Sequence, residues 1–364
     1  MKKLIGFYNP YLLLPHQVPL NLKKFQLSKF FLSFGDTFQY LLRHFNFSQD
    51  NIALLPNFYC PETLNTIRQN IRVVYYQINP DFSVDKKSYF NQIKAYQPDI
   101  IINYSFTGFS LTEVEKEELK NQTKPTAVII DDAAHSLLEN NFLPLNSNHF
   151  LINSLRKHSP FLGSHLLGAN FKLKKNQIQW LNIYKVKCLA LQWARNFFDL
   201  LSLTTNIEKF SDLSDKFFLA QDAIIGEYKK PTHGCPISFY LYQTVNWEKI
   251  KKHRKSLAIY FSQKMQALDL PKIKALPPRL AENSNMNYLP IFIDQDFREK
   301  LLDYLTAKKI FADILWEVGP EDPDELNQTL YQSFIIYPLT WFIKENDIDN
   351  LIKILIAFGQ ENHE

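Results

Sequence analysis

Two short stretches place reactive side chains at the ends of apolar runs. VIIDDAAHS (128–136) closes on adjacent carboxylates, Asp131 and Asp132, with His135 three residues beyond. INSLRKHSPFLG (152–163) closes on Ser154, Arg156 and Lys157. A carboxylate at the end of a buried strand is costly unless it is paired, and burial can turn a lysine there into a usable amine. Each stretch also has a plain reading, with one aspartate exposed and the other capping a turn, and the lysine on the surface. Ligands in open α/β sheets, however, sit outside the carboxyl ends of the strands. Neighbouring strand ends would there present an acid and an amine to one crevice.

The elements that must position these groups follow from the pattern. Short apolar runs recur at IALL (52–55), RVVYYQI (72–78), DIIINYS (99–105), TAVIIDDAA (126–134), FLINSL (150–155) and HLLGANF (165–171). Between the earlier ones lie the helix-like stretches DTFQYLLRHF, PETLNTIRQNI, KKSYFNQIKAY and LTEVEKEELKNQ. Strands alternating with helices imply crossover connections and a mainly parallel sheet flanked by helices, and the unbroken runs imply strands buried on both faces. From 176 to about 224 the spacing becomes helical, and a break follows at KKPTHGCP (229–236). Residues 238–268 read as one long helical segment and PPRLAENSNMN (277–287) as a loop. The end of the chain reads as strand YLPIFI, helix FREKLLDYLTAKK, strands FADILWEV and SFIIYPL, and helix DIDNLIKILIAFG. The expected organisation is a large α/β domain over 1–240, including the helical segment 176–224, and a small α+β domain over 241–364.

Composition excludes several classes. At 364 residues, with 46% apolar and 21% charged, the chain is long enough to bury a substantial core. Its 30 Phe and 18 Tyr imply an aromatic core and interface. A net charge of +4 is dispersed, and the densest basic run, Lys249 to Lys255, falls on a helical pattern as a solvated face, so no nucleic-acid partner is expected. Cys60, Cys188 and Cys235 have neither metal nor disulfide spacing, which fits a reducing cytoplasm and no metal. Pro10 and Pro15 interrupt the apolar N-terminus, and no uninterrupted apolar run reaches the ~18 residues of a membrane span. A cytoplasmic protein with no membrane partner is the expectation.

An acid and an amine in one crevice are what a pyridoxal phosphate enzyme needs. The lysine binds the aldehyde covalently, while the carboxylate keeps the ring nitrogen protonated so that the ring can accept electrons. With that pair in place, the chain resembles the fold type I pyridoxal phosphate enzymes, and within them the DegT/DnrJ family of sugar aminotransferases. LSFGDTFQYLL (32–42) is similar to the family's glycine-containing loop opening a helix, and LLPNFYCPETLNTI (54–67) to the stretch beside the cofactor ring. VVYYQINPDFSVD (73–85) resembles the following strand and turn. VIIDDAAHS is close to the family's EDAAH or EDAAQ segment, and INSLRKHSPFLGSHLLG corresponds to the lysine-bearing segment. KKHRKSLAIYF and YPLTWFIKENDIDNLIKIL fit its later helix and C-terminal end.

The resemblance implies an α/β fold with a mainly parallel seven-stranded sheet, pyridoxal 5'-phosphate as cofactor, and a homodimer with interfacial active sites. It makes Lys157 the catalytic lysine and Asp132 the partner of the ring nitrogen, with Asp131 in the place of the usual Glu. His135 falls near the phenolic oxygen of the cofactor, Ser154 by its phosphate, and Gly35, Asp36 and Thr37 on the phosphate loop. Tyr59 or Phe58 stacks on the ring. Read without the resemblance, Ser154 and Thr37 are turn or cap residues, His135 is a core histidine, and Phe58 and Tyr59 are core aromatics. The sequence also departs from the family. Asp36 puts a carboxylate in a phosphate loop, and SPFLGSHLLG carries one glycine before its final Leu-Leu-Gly where relatives often show two. The Asn–Tyr–Arg type segment reaching the neighbouring subunit has no clear counterpart near 231–238, where His233 or Ser238 would substitute. The implied activity is transfer of an amino group from an amino acid such as glutamate to a nucleotide-linked keto-sugar, in cell-surface polysaccharide or secondary-metabolite biosynthesis. The alternatives are a non-catalytic descendant with a binding or regulatory role, or a related sugar-modifying enzyme such as a dehydratase. Retention of Lys157 argues against the dehydratase, since relatives of that kind tend to carry histidine there.

Overall fold

The structure, a computed structural model, describes residues 28–104, 111–136, 142–159, 161–168, 183–205, 208–227, 231–243, 245–268, 270–282, 286–316, 326–340 and 343–362. Several sequence readings therefore fall partly outside the described residues: the N-terminal segment, Ser105, the end of HLLGANF, the start of the helical stretch from 176, the lysines of KKPTHGCP, and the last two residues of FADILWEV.

Five apolar runs become parallel strands, β2 (Ile52–Pro56), β3 (Arg72–Tyr76), β4 (Ile100–Tyr104), β5 (Val128–Ala133) and β6 (His149–Asn153). β7 (Ser164–Gly168) returns antiparallel to β6, and β1 (Ser28–Phe31) pairs antiparallel with β7 at the edge. The order across the seven-stranded sheet is β1-β7-β6-β5-β4-β2-β3. The chain steps outward from β2 to β3 and then back to β4 on the other side of β2. The topological switch point therefore lies between β2 and β4, where this class of sheet binds ligands. Register sets Tyr104 opposite Asp132, and Asp132 opposite Ile152, so the carboxyl ends of β4, β5 and β6 stand level.

The intervening helices begin where the sequence supplies caps. Ser33 accepts from the Asp36 amide at the start of α1 (Phe34–His44), and Pro61 opens α2 (Pro61–Arg68). Asp85 caps α3 (Lys86–Tyr96), and Thr112 with Glu115 forms a capping box at α4 (Glu113–Gln122). Between these layers Ile100, Ile101, Ile102, Val128, Ile129 and Ile130 have essentially no exposure.

The helical stretch resolves into two helices packed on each other, α5 (Ile183–Thr205) and α6 (Glu208–Glu227). The long segment 238–268 is broken in two, α7 (Pro236–Gln243) and α8 (Trp247–Gln266), because Asn246 caps a new helix through its bond from the Lys249 amide. A second sheet, antiparallel and three-stranded, runs β10-β9-β8 from β8 (Ile273–Ala275), β9 (Tyr288–Ile293) and β10 (Phe334–Pro338). It shares a core with α8, α10 (Gln295–Ala307) and α12 (Glu345–Glu361). The loop expected over 277–287 contains a short helix, α9 (Pro278–Glu282), in its described part. The strand expected at FADILWEV does not form over its described residues. Asp313 makes an isolated bridge to Ile336 on β10, and Trp316 takes a left-handed φ of 60° that ends any extended run.

Because Ile129 lies in mid-sheet with protein on both faces, Ile129→Ala should leave a cavity that its neighbours cannot close. A loss of about 2–5 kcal/mol is expected, read as a lower denaturant midpoint at unchanged slope.

Candidate active site

Alternation along β5 separates its two carboxylates. Asp131 turns to the helix-covered face, where Oδ1 accepts from Asn103 Nδ2 at 2.8 Å and Oδ2 lies 3.0 Å from His149 Nε2. The Leu145 amide donates to His149 Nδ1, which places the ring proton on Nε2. Asp131 thus has a structural occupation. Asp132 points the other way and is buried. Its Oδ2 accepts from the Tyr59 hydroxyl at 2.6 Å and its Oδ1 from the Ala134 amide at 2.9 Å. Burial pushes this carboxyl up to about 6, and the two hydrogen bonds hold it from going higher. A carboxylate so placed is poised to accept a further cationic N–H, which would favour its ionised form.

Tyr59 is itself fixed. It follows β2 on the rim of the switch point, and Tyr331 of α11 (Gln328–Gln332) brackets its backbone. The Tyr331 hydroxyl donates to the Tyr59 carbonyl at 2.7 Å and accepts from the Tyr59 amide at 2.9 Å. Burial, followed by the charge of Asp132, raises the Tyr59 phenol well above its ordinary value, so it stays a donor. Phe58 points elsewhere, into an aromatic core with Tyr331 (ring centroids 4.5 Å), Trp316 (5.1 Å) and Phe82 (5.5 Å).

Lys157 ends a single 3₁₀ turn, Leu155–Lys157, directly after β6. The turn is held by bonds from the Lys157 amide to the Ser154 carbonyl and from the Leu155 amide to the Gly163 carbonyl. Gly163 has a φ of 152°, and a Cβ there would lie 2.1 Å from Phe30 Cζ, so glycine is required at this point of the loop. Buried Asn287, just before β9, donates from Nδ2 to the Lys157 carbonyl at 3.0 Å. Arg156 is drawn aside into an ion pair with Asp222 on α6. The Lys157 side chain is half-buried. Desolvation, reinforced by the Arg156 charge, brings its amine down to about 8. His135 is buried within the field of that amine, with its ring edge-on to Trp316 and Tyr288. Burial first, and the Lys157 charge next, keep its imidazole well below the usual range and therefore neutral at pH 7.

The fourth group of residues lies at the start of α1 and beside the lysine turn. Gly35 is exposed, and the nearest protein atom to a Cβ placed there is Ser33 Oγ at 3.8 Å, so the backbone is open. Buried Ser154 makes no side-chain hydrogen bond to any described residue. Asp36 and Thr37 are both turned inward. Asp36 Oδ2 accepts from Ser33 Oγ at 2.5 Å and Oδ1 from the Thr232 amide at 2.9 Å, while Thr37 Oγ1 bonds Ser164 Oγ at 2.7 Å. The residues thus fit the ring half of a pyridoxal cofactor, with a buried acid for the pyridinium nitrogen and a desolvated amine for the aldehyde. At the phosphate half, Gly35 and Ser154 fit and Asp36 does not. Sequence reading did not single out Tyr331 or Asn287. Neither lies near a recognisable motif, and only the fold brings them to Tyr59 and Lys157.

No protein-family model matches the chain and no curated protein matches it in sequence, so its kinship rests on three-dimensional shape. The structure is similar to that of Helicobacter pylori PseC, an aminotransferase involved in the biosynthesis of pseudoaminic acid, with TM-score 0.62 and 15% identity over 95% of this chain and 93% of that one. It is also similar to a DegT DnrJ EryC1 StrS aminotransferase from Brucella abortus (0.59, 14%, over 95% and 92%) and to the aminotransferase TlmJ from Streptoalloteichus hindustanus (0.62, 12%, over 93% and 87%). The fold is that of the fold type I aminotransferases. At these identities, the chemistry must be argued from the residues.

Two outcomes follow for Asp132. Its carboxyl is raised from 3.8 to about 6, so the native state binds more protons than the unfolded chain between those values. Its contribution to stability is therefore full below 3.8 and is lost as the pH rises through about 6. Asp132→Asn should flatten that part of the stability profile in urea unfolding at a series of pH values. Tyr59→Phe, which removes a donor to the ionised form, should move the Asp132 midpoint upward in a carbon-13 carboxyl titration.

Proposed function

We propose that this protein is a pyridoxal phosphate-dependent aminotransferase that transfers an amino group from an amino acid such as glutamate to a nucleotide-linked keto-sugar. The observation carrying the proposal is the placement of Asp132 and Lys157 at the carboxyl ends of the neighbouring strands β5 and β6, in a fold shared with aminotransferases. Pyridoxal phosphate bound there supplies an electron sink for the charge left when the donor's α-carbon loses its proton. Asp132, held by Tyr59 and Ala134, accepts the pyridinium N–H. Lys157 Nζ, brought down to about 8, is the amine that carries the cofactor and then holds and returns the proton. His135, neutral at pH 7, offers a hydrogen bond without adding charge beside that amine.

The same reading includes a homodimer. The exposed apolar side chains Val186, Trp193 and Phe197, at helical spacing on α5, together with Leu219 on α6, support such a contact. It also includes a cytoplasmic location and a division of the chain near residue 240, ahead of the helix α8 that packs on the small sheet. No helix among the described residues is long and apolar enough to cross a membrane. The second reading, a non-catalytic relative that keeps the fold, is favoured by one observation, the inward engagement of Asp36.

Borohydride reduction in the presence of pyridoxal phosphate should add the cofactor's mass to the peptide containing Lys157 and leave Lys157→Ala unlabelled. Turnover of a panel of amino donors should then produce pyridoxamine phosphate. Labelling without any such conversion would favour the non-catalytic reading, and no labelling of Lys157 would overturn both the cofactor assignment and the role of the lysine.

A further inference from the structure

The start of α1 is where an anion is ordinarily welcome, because first-turn amides point outward and the helix dipole is positive there. In this chain that position already holds one. The Asp36 carboxylate folds back over the helix start, accepting the Ser33 hydroxyl at 2.5 Å and the Thr232 amide at 2.9 Å. The Asp36 amide is taken by Ser33 Oγ and the Thr37 amide by the Ser33 carbonyl. Burial raises the Asp36 carboxyl above its usual range, and the bonds from Ser33 and Thr232, followed by the charge of buried Lys185 near the start of α5, oppose that rise in favour of the carboxylate. Thr37 is committed as well. Its hydroxyl bonds the Ser33 carbonyl at 3.0 Å and Ser164 Oγ at 2.7 Å, and Ser164 Oγ lies in turn 2.6 Å from the Asn153 carbonyl.

We propose that Asp36 is a specificity-determining residue that serves as the internal anion of helix α1 and bars a phosphate group from it, so that the site distinguishes little between pyridoxal and pyridoxal phosphate. The proposal rests on the cofactor reading above for the identity of the ligand, but not for the behaviour of the helix start. A second anion placed here would meet a fixed negative charge and compete for donors already in use. Of the phosphate-side residues, the open backbone at Gly35 and the hydroxyl of Ser154 remain.

The test uses the full chain as parent, as Asp36→Asn, which removes the charge and keeps the shape, and as Asp36→Ala, which empties the place. Thermal unfolding is followed against inorganic phosphate at constant ionic strength, and equilibrium affinities for pyridoxal and pyridoxal phosphate are measured by fluorescence. The parent should show no phosphate-dependent rise in unfolding temperature and should prefer pyridoxal phosphate by less than about tenfold, while either variant should gain the rise and widen the preference by about tenfold or more. A parent stabilised by phosphate overturns the proposal without any variant. A parent preference of about a hundredfold, unchanged or reduced in the variants, also overturns it. If neither aldehyde binds the parent, the cofactor reading falls and the phosphate arm decides alone. Stabilisation gained in the variants then upholds the internal anion, and its absence there overturns it.

Discussion

Asp132 is the side chain around which the site is arranged, since a carboxylate beneath the surface must be given donors or a proton. Both of its oxygens are served, by the Ala134 amide two residues along its own chain and by the Tyr59 hydroxyl from the end of β2. The second bond spans the position of β4 and therefore depends on the strand order and on the level ends of β4 and β5. It also depends on Tyr331, which holds the Tyr59 backbone at both its amide and its carbonyl. The strand register, the switch point and the small α11 helix thus meet at one carboxyl group whose affinity for protons falls near neutrality.

The lysine is treated differently. Its turn is fixed through the backbone, by Ser154, Gly163 and Asn287, while its side chain keeps an open flank. Arg156, the neighbouring cation, is drawn off to Asp222, while the Lys157 side chain stays half-buried. Desolvation with the remaining Arg156 charge lowers its proton affinity. The site thus combines a carboxyl raised by burial with an amine lowered by it, and the difference between the two groups narrows from both sides.

The parallel strands were legible because IALL, DIII and AVII are unbroken apolar runs between capped helices. Such runs have one stable placement, the middle of a sheet covered on both faces. SKFF, which forms β1, was not read as a strand. It is four residues long, lies at an edge, and is fixed by pairing with β7, which is far away in sequence. FADILWEV carried the composition of a strand, yet Asp313 makes one bridge and Trp316 turns the chain. DDAAH and SLRK put acids and an amine at neighbouring strand ends by type and order, and only the family resemblance singled out Asp132 and Lys157. The choice between Phe58 and Tyr59 was not readable, since adjacent aromatics differ only in which way the backbone aims them. The partners of Asp36 were equally hidden, because Thr232 is distant in sequence and contributes an amide that any non-proline residue possesses.

The bonds that complete the site join residues far apart along the chain: Tyr59 to Tyr331, Lys157 to Asn287, and Asp36 to Thr232. A polypeptide emerging from the ribosome N-terminus first can pair β2 through β6 while the last third is still unmade. At that stage Tyr59 has no Tyr331 to bracket it, and the lysine turn has no Asn287. The acid and the amine are synthesised before the residues that hold them in register. Completion of the site therefore waits on synthesis of the segments around Asn287 and Tyr331 rather than on formation of the large sheet.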